Sequence, residues 1–331
     1  MTAASGIAAA RARLSDPARR TRPLAAFHGE RPIAPAWYRA AMAEPVEERW
    51  VDVEGAAIEL LCWGDVGKPG LLLVHGSSAH ARWWGPVAPM LARDYRVASF
   101  SWSGTGRSDR RPRYAVAQTA REAWAAMHAA GLFAADARPV IACHSFGSKS
   151  GALLAAEHGD RLNGAIFVDS LLLADEMRPP EGLYRERRYD GLVDALARFR
   201  FAPDQGAGHP YIADDIARAA LREDDAGWTW RFDPDLFQRL DFESGWNEIA
   251  QATCPLAFLR GEESIVLVDA DVEAQRRQAQ PGSIFLDIPG AGHHVMVDQP
   301  HALVAALRAL VEGWRAQQTP AHGPASEEEA R

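Results

Sequence analysis

Short apolar runs alternate with amphipathic segments along most of the chain. Runs such as 70–74 (GLLLV) and 164–168 (GAIFV) carry no polar side chain. A continuous run of this kind is typical of a strand that is buried on both faces of a sheet. The predicted strands span residues 50–53, 58–63, 70–74, 96–100, 139–143, 164–168, 256–259 and 283–288.

Amphipathic helices separate these strands. We predict helices over residues 116–130, 146–158, 271–280 and 301–314, and Gly131 ends the first of them. Strands that alternate with helices indicate βαβ units. The expected fold is therefore α/β, with a mostly parallel twisted sheet and helices on both of its faces.

One segment interrupts this rhythm. Residues 171–246 are rich in Arg, Asp, Pro and aromatic residues and contain no run that predicts a buried strand. We interpret them as a helical cap over the carboxyl end of the sheet, where ligands bind in open α/β folds. The core is then formed by residues 48–170 and 247–316, preceded by an N-terminal arm (1–47). Residues 317–331 are predicted to be a disordered polar tail.

Composition argues against several classes of protein. The 331 residues include 36 Lys+Arg and 44 Asp+Glu, which gives a net charge of −8. An acidic chain lacks the basic surface that nonspecific nucleic-acid binding requires. No segment approaches the roughly 20 apolar residues that span a bilayer, and the N-terminus has no continuous apolar signal region. We therefore expect neither nucleic-acid nor membrane partners, and a cytoplasmic location.

The cysteines suggest neither a disulfide framework nor a zinc site. Cys62, Cys143 and Cys254 are widely spaced, odd in number and without a CxxC or Cys/His pattern.

Ser145 is the candidate nucleophile. It lies where an apolar strand runs directly into a helix, a junction at which a serine sits on a tight turn with its hydroxyl exposed. Gly147 supplies the small residue that such a turn needs two positions later, whereas Cys143 stands where the G-x-S-x-G pattern has its first glycine. The alternative is that Ser145 is only the N-cap of the helix.

Three further motifs follow predicted strands. His75-Gly76-Ser77-Ser78 follows the run at 70–74, and Ser103-Gly104-Thr105-Gly106-Arg107-Ser108 follows the run at 96–100. Near the C-terminus, Gly292, His293 and His294 follow the last strand and precede Asp298 and Pro300. A histidine whose pKa is near neutral is a suitable base for a serine hydroxyl.

Together these motifs resemble the α/β-hydrolase fold superfamily. The chain looks most like the cap-bearing branch, which includes epoxide hydrolases, haloalkane dehalogenases, lactonases and carboxylesterases. The resemblance covers residues from about 48 to 316 and rests on His75-Gly76 with Trp84 downstream, the 103–108 motif, Ser145, and Gly292-His293 before Pro300. Epoxide hydrolases and dehalogenases carry Asp where this chain has Ser145, so the resemblance implies acyl chemistry.

The resemblance also implies which residues act with Ser145. By the spacing to Pro300, His293 is the expected general base. In most of the family the orienting acid lies in the loop that is 261–265 here, where Glu263 is a candidate. In another branch the orienting acid follows the strand that comes after the nucleophile helix. Asp169 occupies that position in this chain, and we prefer it to Glu263 as the orienting acid.

The expected mechanism is two-step acyl transfer through an acyl-enzyme. The backbone N–H groups of Ser77 and Phe146 would bind the oxyanion. We expect no metal and no organic cofactor. The expected partner is a small-molecule substrate. The sequence leaves the oligomeric state open, and a homodimer is one of the options.

Aromatic residues beside the motifs suggest an apolar substrate pocket. The candidates for its lining are Trp83, Trp84, Trp102 and His144. The first hypothesis is therefore a serine hydrolase that cleaves an ester or lactone of a hydrophobic small molecule. The alternatives are a C–C bond hydrolase or lyase on the same scaffold, and a non-catalytic ligand-binding sensor with this fold.

Overall fold

The computed structural model describes residues 21–134, 137–170, 185–206, 208–241 and 246–318. The strands are β1 (Glu47–Val53), β2 (Ala56–Trp63), β3 (Gly70–Val74), β4 (Arg96–Ser101), β5 (Tyr114–Ala115), β6 (Val140–His144), β7 (Gly164–Val168), β8 (Leu221–Asp224), β9 (Gly227–Trp230), β10 (Leu240–Asp241), β11 (Leu256–Gly261) and β12 (Ile284–Ile288).

The helices begin with α1 in the predicted arm and end with a long α10. They are α1 (Ala36–Ala43), α2 (Ala88–Leu91), α3 (Val116–Ala129), α4 (Gly147–Glu157), α5 (Leu192–Ala197), α6 (Pro210–Ala220), α7 (Trp246–Gln251), α8 (Asp269–Gln278), α9 (Val295–Asp298) and α10 (Pro300–Gln318). No helix among the described residues has the length and apolar character needed to cross a bilayer.

A sheet of eight strands forms the centre of the fold. Its strand order is β1-β2-β4-β3-β6-β7-β11-β12. β2 is antiparallel to both of its neighbours, and the remaining pairs are parallel. The predicted α/β fold with a mostly parallel sheet is confirmed.

The hydrophobic core lies on both sides of this sheet. Leu71 and Leu73 of β3 belong to one cluster, and Leu72 and Val74 belong to the other. Since successive side chains of a strand point to opposite faces, a strand between two cores must be apolar throughout. β1 begins three residues before its predicted start because Glu47, Glu48 and Arg49 are exposed at the edge of the sheet and give no apolar signal.

The segment between β7 and β11 is not purely helical. It contains α5 and α6, but also an antiparallel hairpin of β8 and β9, and β10 pairs with β5 in parallel. The hairpin strands have four residues each and are half-buried, which is too short and too polar for an apolar-run prediction. Residues 171–184, where the predicted cap begins, lie outside the described residues, and the division into core and cap stays a prediction.

The predicted N-terminal arm includes an ordered helix. Tyr38 of α1 is buried, and its hydroxyl donates to Asp215 of α6 at 2.8 Å. Arg31 also pairs with Asp215 at 2.7 Å. This part of the arm therefore packs on the inserted segment. The first twenty residues, and most of the tail that was predicted to be disordered (319–331), lie outside the described residues.

Candidate active site

The carboxyl ends of neighbouring parallel strands bring the predicted site residues together. β3, β6 and β7 are adjacent in the sheet. Ser145 comes directly after β6, and Asp169 comes directly after β7. His293 lies on the loop between β12 and α9.

Ser145 has a strained backbone. Its φ is +50°, in the left-handed region that non-glycine residues rarely adopt. A Cβ on Gly147 would lie 2.3 Å from the carbonyl oxygen of His75, and one on Gly76 would lie 2.9 Å from the Cβ of Ser145. The turn therefore needs small residues at both positions, and strain of this kind is concentrated at functional sites.

Ser145 does not act as a helix cap. The residue at the N-cap of α4 is Phe146, and no side-chain capping hydrogen bond is present there. The hydroxyl of Ser145 is instead within hydrogen-bond distance of His293.

Cys143 fits the turn because of a glycine in the following helix. A Cβ on Gly151 would lie 2.5 Å from the Cys143 sulfur, so this glycine leaves room for the thiol. Cys143 is fully buried, and burial raises its pKa far above the ordinary value. It is a packing residue, in place of the glycine that the pattern has at this position.

Ser145, His293 and Asp169 form a hydrogen-bonded chain. The Nε2 atom of His293 lies 3.0 Å from Oγ of Ser145, and its Nδ1 atom lies 2.7 Å from Oδ1 of Asp169. Asp169 is 0% exposed and His293 is 3% exposed. This arrangement fixes Nδ1 as the nitrogen that carries the proton and directs the Nε2 lone pair to the serine hydroxyl.

Two further donors hold the Asp169 carboxylate. The backbone N–H of Gly261 donates to its Oδ2 at 2.7 Å, and the Ser264 hydroxyl donates to its Oδ1 at 2.6 Å. The other candidate acid, Glu263, is exposed, and its backbone N–H donates to Ala291 at 2.8 Å. Of the two candidates, Asp169 is the one hydrogen-bonded to His293.

The loop after β3 lies against the serine turn. Gly76 is in close contact with Ser145, and Ser78 has a φ of +57°. Phe146, the residue after Ser145, is the N-cap residue of α4. The structure thus places Ser77 and Phe146 on the two segments that meet at Ser145.

His75 anchors this loop in its neutral form. Its Nδ1 atom lies 2.8 Å from the carbonyl oxygen of Gly76 and 2.9 Å from the indole nitrogen of Trp102. Its Nε2 atom lies 3.2 Å from the hydroxyl oxygen of Thr105 and 3.4 Å from the backbone nitrogen of Trp102. Burial lowers the pKa of His75 to about 3.

Aromatic rings pack against the chain neighbours of Ser145 and His293. Trp102 stacks on Phe146 with ring centroids 5.2 Å apart, and Phe237 meets Phe146 edge-on at 6.0 Å. Trp83 packs edge-on against His294 at 5.1 Å. Trp84 is fully buried within the hydrophobic core.

His144 and His294 join His293 in a cluster that sequence reasoning did not find. The ring of His144 donates from Nε2 to the carbonyl of His293 at 2.9 Å, and His294 Nε2 donates to the carbonyl of Pro203 at 3.1 Å. Burial, reinforced by the neighbouring His293, holds the pKa of both rings well below the ordinary value. The only sequence signal was the presence of three histidines beside two predicted strand ends.

Gln205, from the inserted segment, is a second residue that the sequence did not indicate. Its Oε1 accepts from the backbone N–H of His294 at 3.1 Å, and its Nε2 donates to Asp298 Oδ2 at 2.6 Å. The same Asp298 oxygen accepts from Gly292 N–H at 2.8 Å. Burial raises the pKa of Asp298 to about 6. Gln205 therefore ties the inserted segment to the loop that carries His293.

Known proteins match most of the chain. The model of the alpha/beta hydrolase family matches residues 71–307. Esterase Rv0045c of Mycobacterium tuberculosis is 25% identical over 296 residues, which are 82% of this chain and 95% of that protein. Putative carbamate hydrolase RutD of Caulobacter vibrioides is 32% identical over 119 residues, which are 35% of this chain and 43% of that protein.

Solved structures agree at the level of the fold. The thioesterase domain from the curacin biosynthetic pathway has a TM-score of 0.69 at 19% identity, over 80% of this chain and 100% of that chain. The crystal structure of esterase Rv0045c has a TM-score of 0.62 at 20% identity, over 84% of this chain and 97% of that chain. The chain belongs to the alpha/beta hydrolase family and is a hydrolase.

Proposed function

We propose that this member of the alpha/beta hydrolase family is a serine hydrolase that cleaves an ester or lactone of a hydrophobic small molecule. The observation that carries the proposal is the hydrogen-bonded chain from Ser145 through His293 to Asp169. In this assignment Ser145 is the nucleophile, His293 the general base and Asp169 the residue that orients His293.

The first half-reaction forms an acyl-enzyme. Ser145 Oγ attacks the substrate carbonyl carbon while His293 Nε2 takes the hydroxyl proton. The backbone N–H groups of Ser77 and Phe146 donate to the oxyanion, and loss of one such donor costs about 3 kcal/mol of transition-state stabilisation. The C–O bond to the leaving group then breaks, and the alcohol leaves with the proton from His293.

The second half-reaction returns the free enzyme. Water attacks the acyl carbon after His293 Nε2 removes one of its protons, and collapse of the intermediate breaks the bond to Ser145. His293 gives its proton back to Ser145 Oγ, and the carboxylic acid leaves. In a lactone both halves of the substrate stay in one molecule, which leaves as a hydroxy acid.

The aromatic surroundings of Ser145 favour an apolar acyl or alcohol group. Trp102 and Phe237 pack against Phe146, the residue after Ser145, and Trp83 packs against His294, the residue after His293. Ligand sites are lined mostly by such side chains, with few polar groups to fix orientation. The 25% identity to a mycobacterial esterase over most of both chains also supports ester cleavage.

Fluorophosphonate labelling of the purified chain tests the nucleophile. We expect one label per wild-type chain, on Ser145, and none on Ser145→Ala, whereas Ser283→Ala should label like wild type. Equal labelling of wild type and Ser145→Ala would contradict the assignment. Absence of labelling from both would favour the non-catalytic sensor.

A substrate panel then tests the bond that is cleaved. It contains nitrophenyl esters of acetate, butyrate and octanoate, a set of lactones, a carbamate and a vinylogous diketone. We expect hydrolysis of the longer esters or the lactones, with none by Ser145→Ala. Turnover of the diketone alone would instead identify a C–C bond hydrolase.

A further inference from the structure

We propose that His144, His293 and His294 form an inhibitory site for a divalent transition-metal ion of the zinc class. The inhibition rests on the function proposed above, because it requires His293 to be the general base. Binding of the ion does not rest on that function, and it can be measured separately.

The three imidazole rings lie close together. One ring nitrogen of each histidine lies within 4.8 Å of the other two. The ring centroids are 4.7 Å apart for His144 and His293, 4.9 Å for His293 and His294, and 5.7 Å for His144 and His294. Zn–N bonds of 2.0–2.1 Å in a tetrahedral site place ligand nitrogens about 3.4 Å apart, so binding one ion would draw the three nitrogens closer by up to about 1.4 Å.

Each ring has the outer hydrogen bond that metal-binding histidines have. Such a histidine donates its other N–H to a backbone carbonyl or a carboxylate, which fixes the tautomer. His144 donates from Nε2 to the carbonyl of His293, and His294 donates from Nε2 to the carbonyl of Pro203. His293 donates from Nδ1 to the Asp169 carboxylate. The nitrogens left for a metal are Nδ1 of His144, Nδ1 of His294 and Nε2 of His293.

Two of these nitrogens have no other use in the described structure. His144 is 2% exposed and His294 is 1% exposed. Their Nδ1 atoms have no hydrogen-bond partner among the described residues. Since buried polar atoms are nearly always paired, two unpaired lone pairs within one cluster indicate a ligand that supplies the missing partner.

The chemistry of the site suits a borderline-soft cation. Neutral imidazole binds zinc, copper and nickel well, whereas magnesium and calcium require oxygen ligands. A bound ion would occupy the Nε2 lone pair of His293, which must accept the Ser145 proton in the proposed reaction. The ion would therefore block the first step without touching the Asp169 side of the ring.

The test uses the full chain after treatment with a chelator. Co²⁺ is titrated while its visible absorption is followed, and Zn²⁺ binding is measured by calorimetry. The variants are His144→Gln and His294→Gln, because the glutamine amide can still donate from the former Nε2 position but has no Nδ1 ligand. His28→Gln, which replaces an exposed histidine outside the cluster, is the matched control.

We expect one ion per wild-type chain and the intense absorption of tetrahedral Co²⁺. Each cluster variant should bind Zn²⁺ at least ~10-fold more weakly than wild type. Removal of an outer-shell partner of a metal ligand already lowers metal affinity by this factor, and removal of a ligand should lower it at least as much. The His28→Gln chain should bind like wild type. If His144→Gln does not fold, His294→Gln and the wild-type titration decide the question.

Activity provides the second readout. Zn²⁺ should inhibit ester hydrolysis over the concentration range in which it binds, a chelator should restore activity, and His294→Gln should need ~10-fold more Zn²⁺. Ser145→Ala should still bind Co²⁺ with wild-type stoichiometry, which separates this proposal from the proposed function. No saturable binding to wild type, or equal binding by wild type and both cluster variants, would overturn it.

Discussion

Asp169 Oδ1 lies 2.7 Å from His293 Nδ1, and both side chains are buried. The two residues are 124 positions apart in the chain, and each follows a different strand of the sheet. Gly261 and Ser264, on the loop after β11, donate to the same carboxylate. The loop that carries the acid in most of the family therefore supports Asp169 here.

Asp169→Asn tests the role of this carboxylate. Asparagine has nearly the same shape, but its amide favours the wrong tautomer of His293, so we expect kcat to fall on the order of 10⁴-fold. Steady-state hydrolysis of the best ester measures the effect, and circular dichroism checks the fold. Glu263→Gln is the matched control and should keep near-wild-type activity. The opposite pattern, with only Glu263→Gln inactive in a folded protein, would assign the acid to Glu263.

Gly147→Ala should distort the serine turn. The new Cβ would lie 2.3 Å from the carbonyl oxygen of His75, which cannot move without shifting the loop that carries Ser77. We expect a loss of about 1–3 kcal/mol in the free energy of unfolding, together with a lower kcat. Gly313→Ala is the control. That glycine lies within α10 with nothing within 4 Å of a new Cβ, so the change should stabilise the protein by about 0.5–1 kcal/mol. Unchanged stability of Gly147→Ala would refute the close contact.

The central strands could be predicted because they are buried on both faces. The bounds of β3 and β7 are those of the runs GLLLV and GAIFV. The position of Asp169 at the end of β7 was also available from the sequence, since carboxyl ends of adjacent parallel strands meet. The catalytic roles of Ser145, His293 and Asp169 stay predictions until the variants are measured.

Contacts between distant segments could not be predicted. Gln205 is one polar residue in a polar segment, and its partner Asp298 is 93 positions away. His144 and His293 are 149 positions apart, and their neighbours in the chain do not indicate that the rings meet. The β8–β9 hairpin was missed because its strands are short and half-buried. Such strands have no apolar pattern that a sequence-based prediction could use.

Gln205→Ala should loosen the loop that carries His293. It leaves the His294 N–H without its acceptor and removes one of the two donors to Asp298 Oδ2. We expect a loss of about 1–3 kcal/mol in the free energy of unfolding and a larger effect on kcat than on KM. Gln299→Ala is the control, because among the described residues the Gln299 side chain makes one long, exposed hydrogen bond, to the carbonyl of Gly290, and the change should alter stability by less than about 0.5 kcal/mol. A change in KM alone would contradict a positioning role.

His80 makes stability depend on pH. It is buried, its Nε2 donates to the carbonyl of Ile216 at 3.1 Å, and burial lowers its pKa to about 4. Between pH 4 and about 6.5 the unfolded chain binds a proton at this position and the folded chain does not. The free energy of unfolding therefore rises with pH across this window, and the stabilisation present above pH ~6.5 is lost as the pH falls.

His80→Gln should flatten this dependence. Glutamine can keep the hydrogen bond to Ile216 but takes up no proton, so the slope near pH 5 should fall by up to about 1.4 kcal/mol per pH unit. Urea unfolding of wild type and variant at half-unit steps from pH 4 to pH 8 measures the slopes. Above pH 7 the two curves should run parallel, which serves as the internal control. Curves that stay parallel down to pH 4 would mean that His80 takes up a proton equally in the folded and unfolded chains.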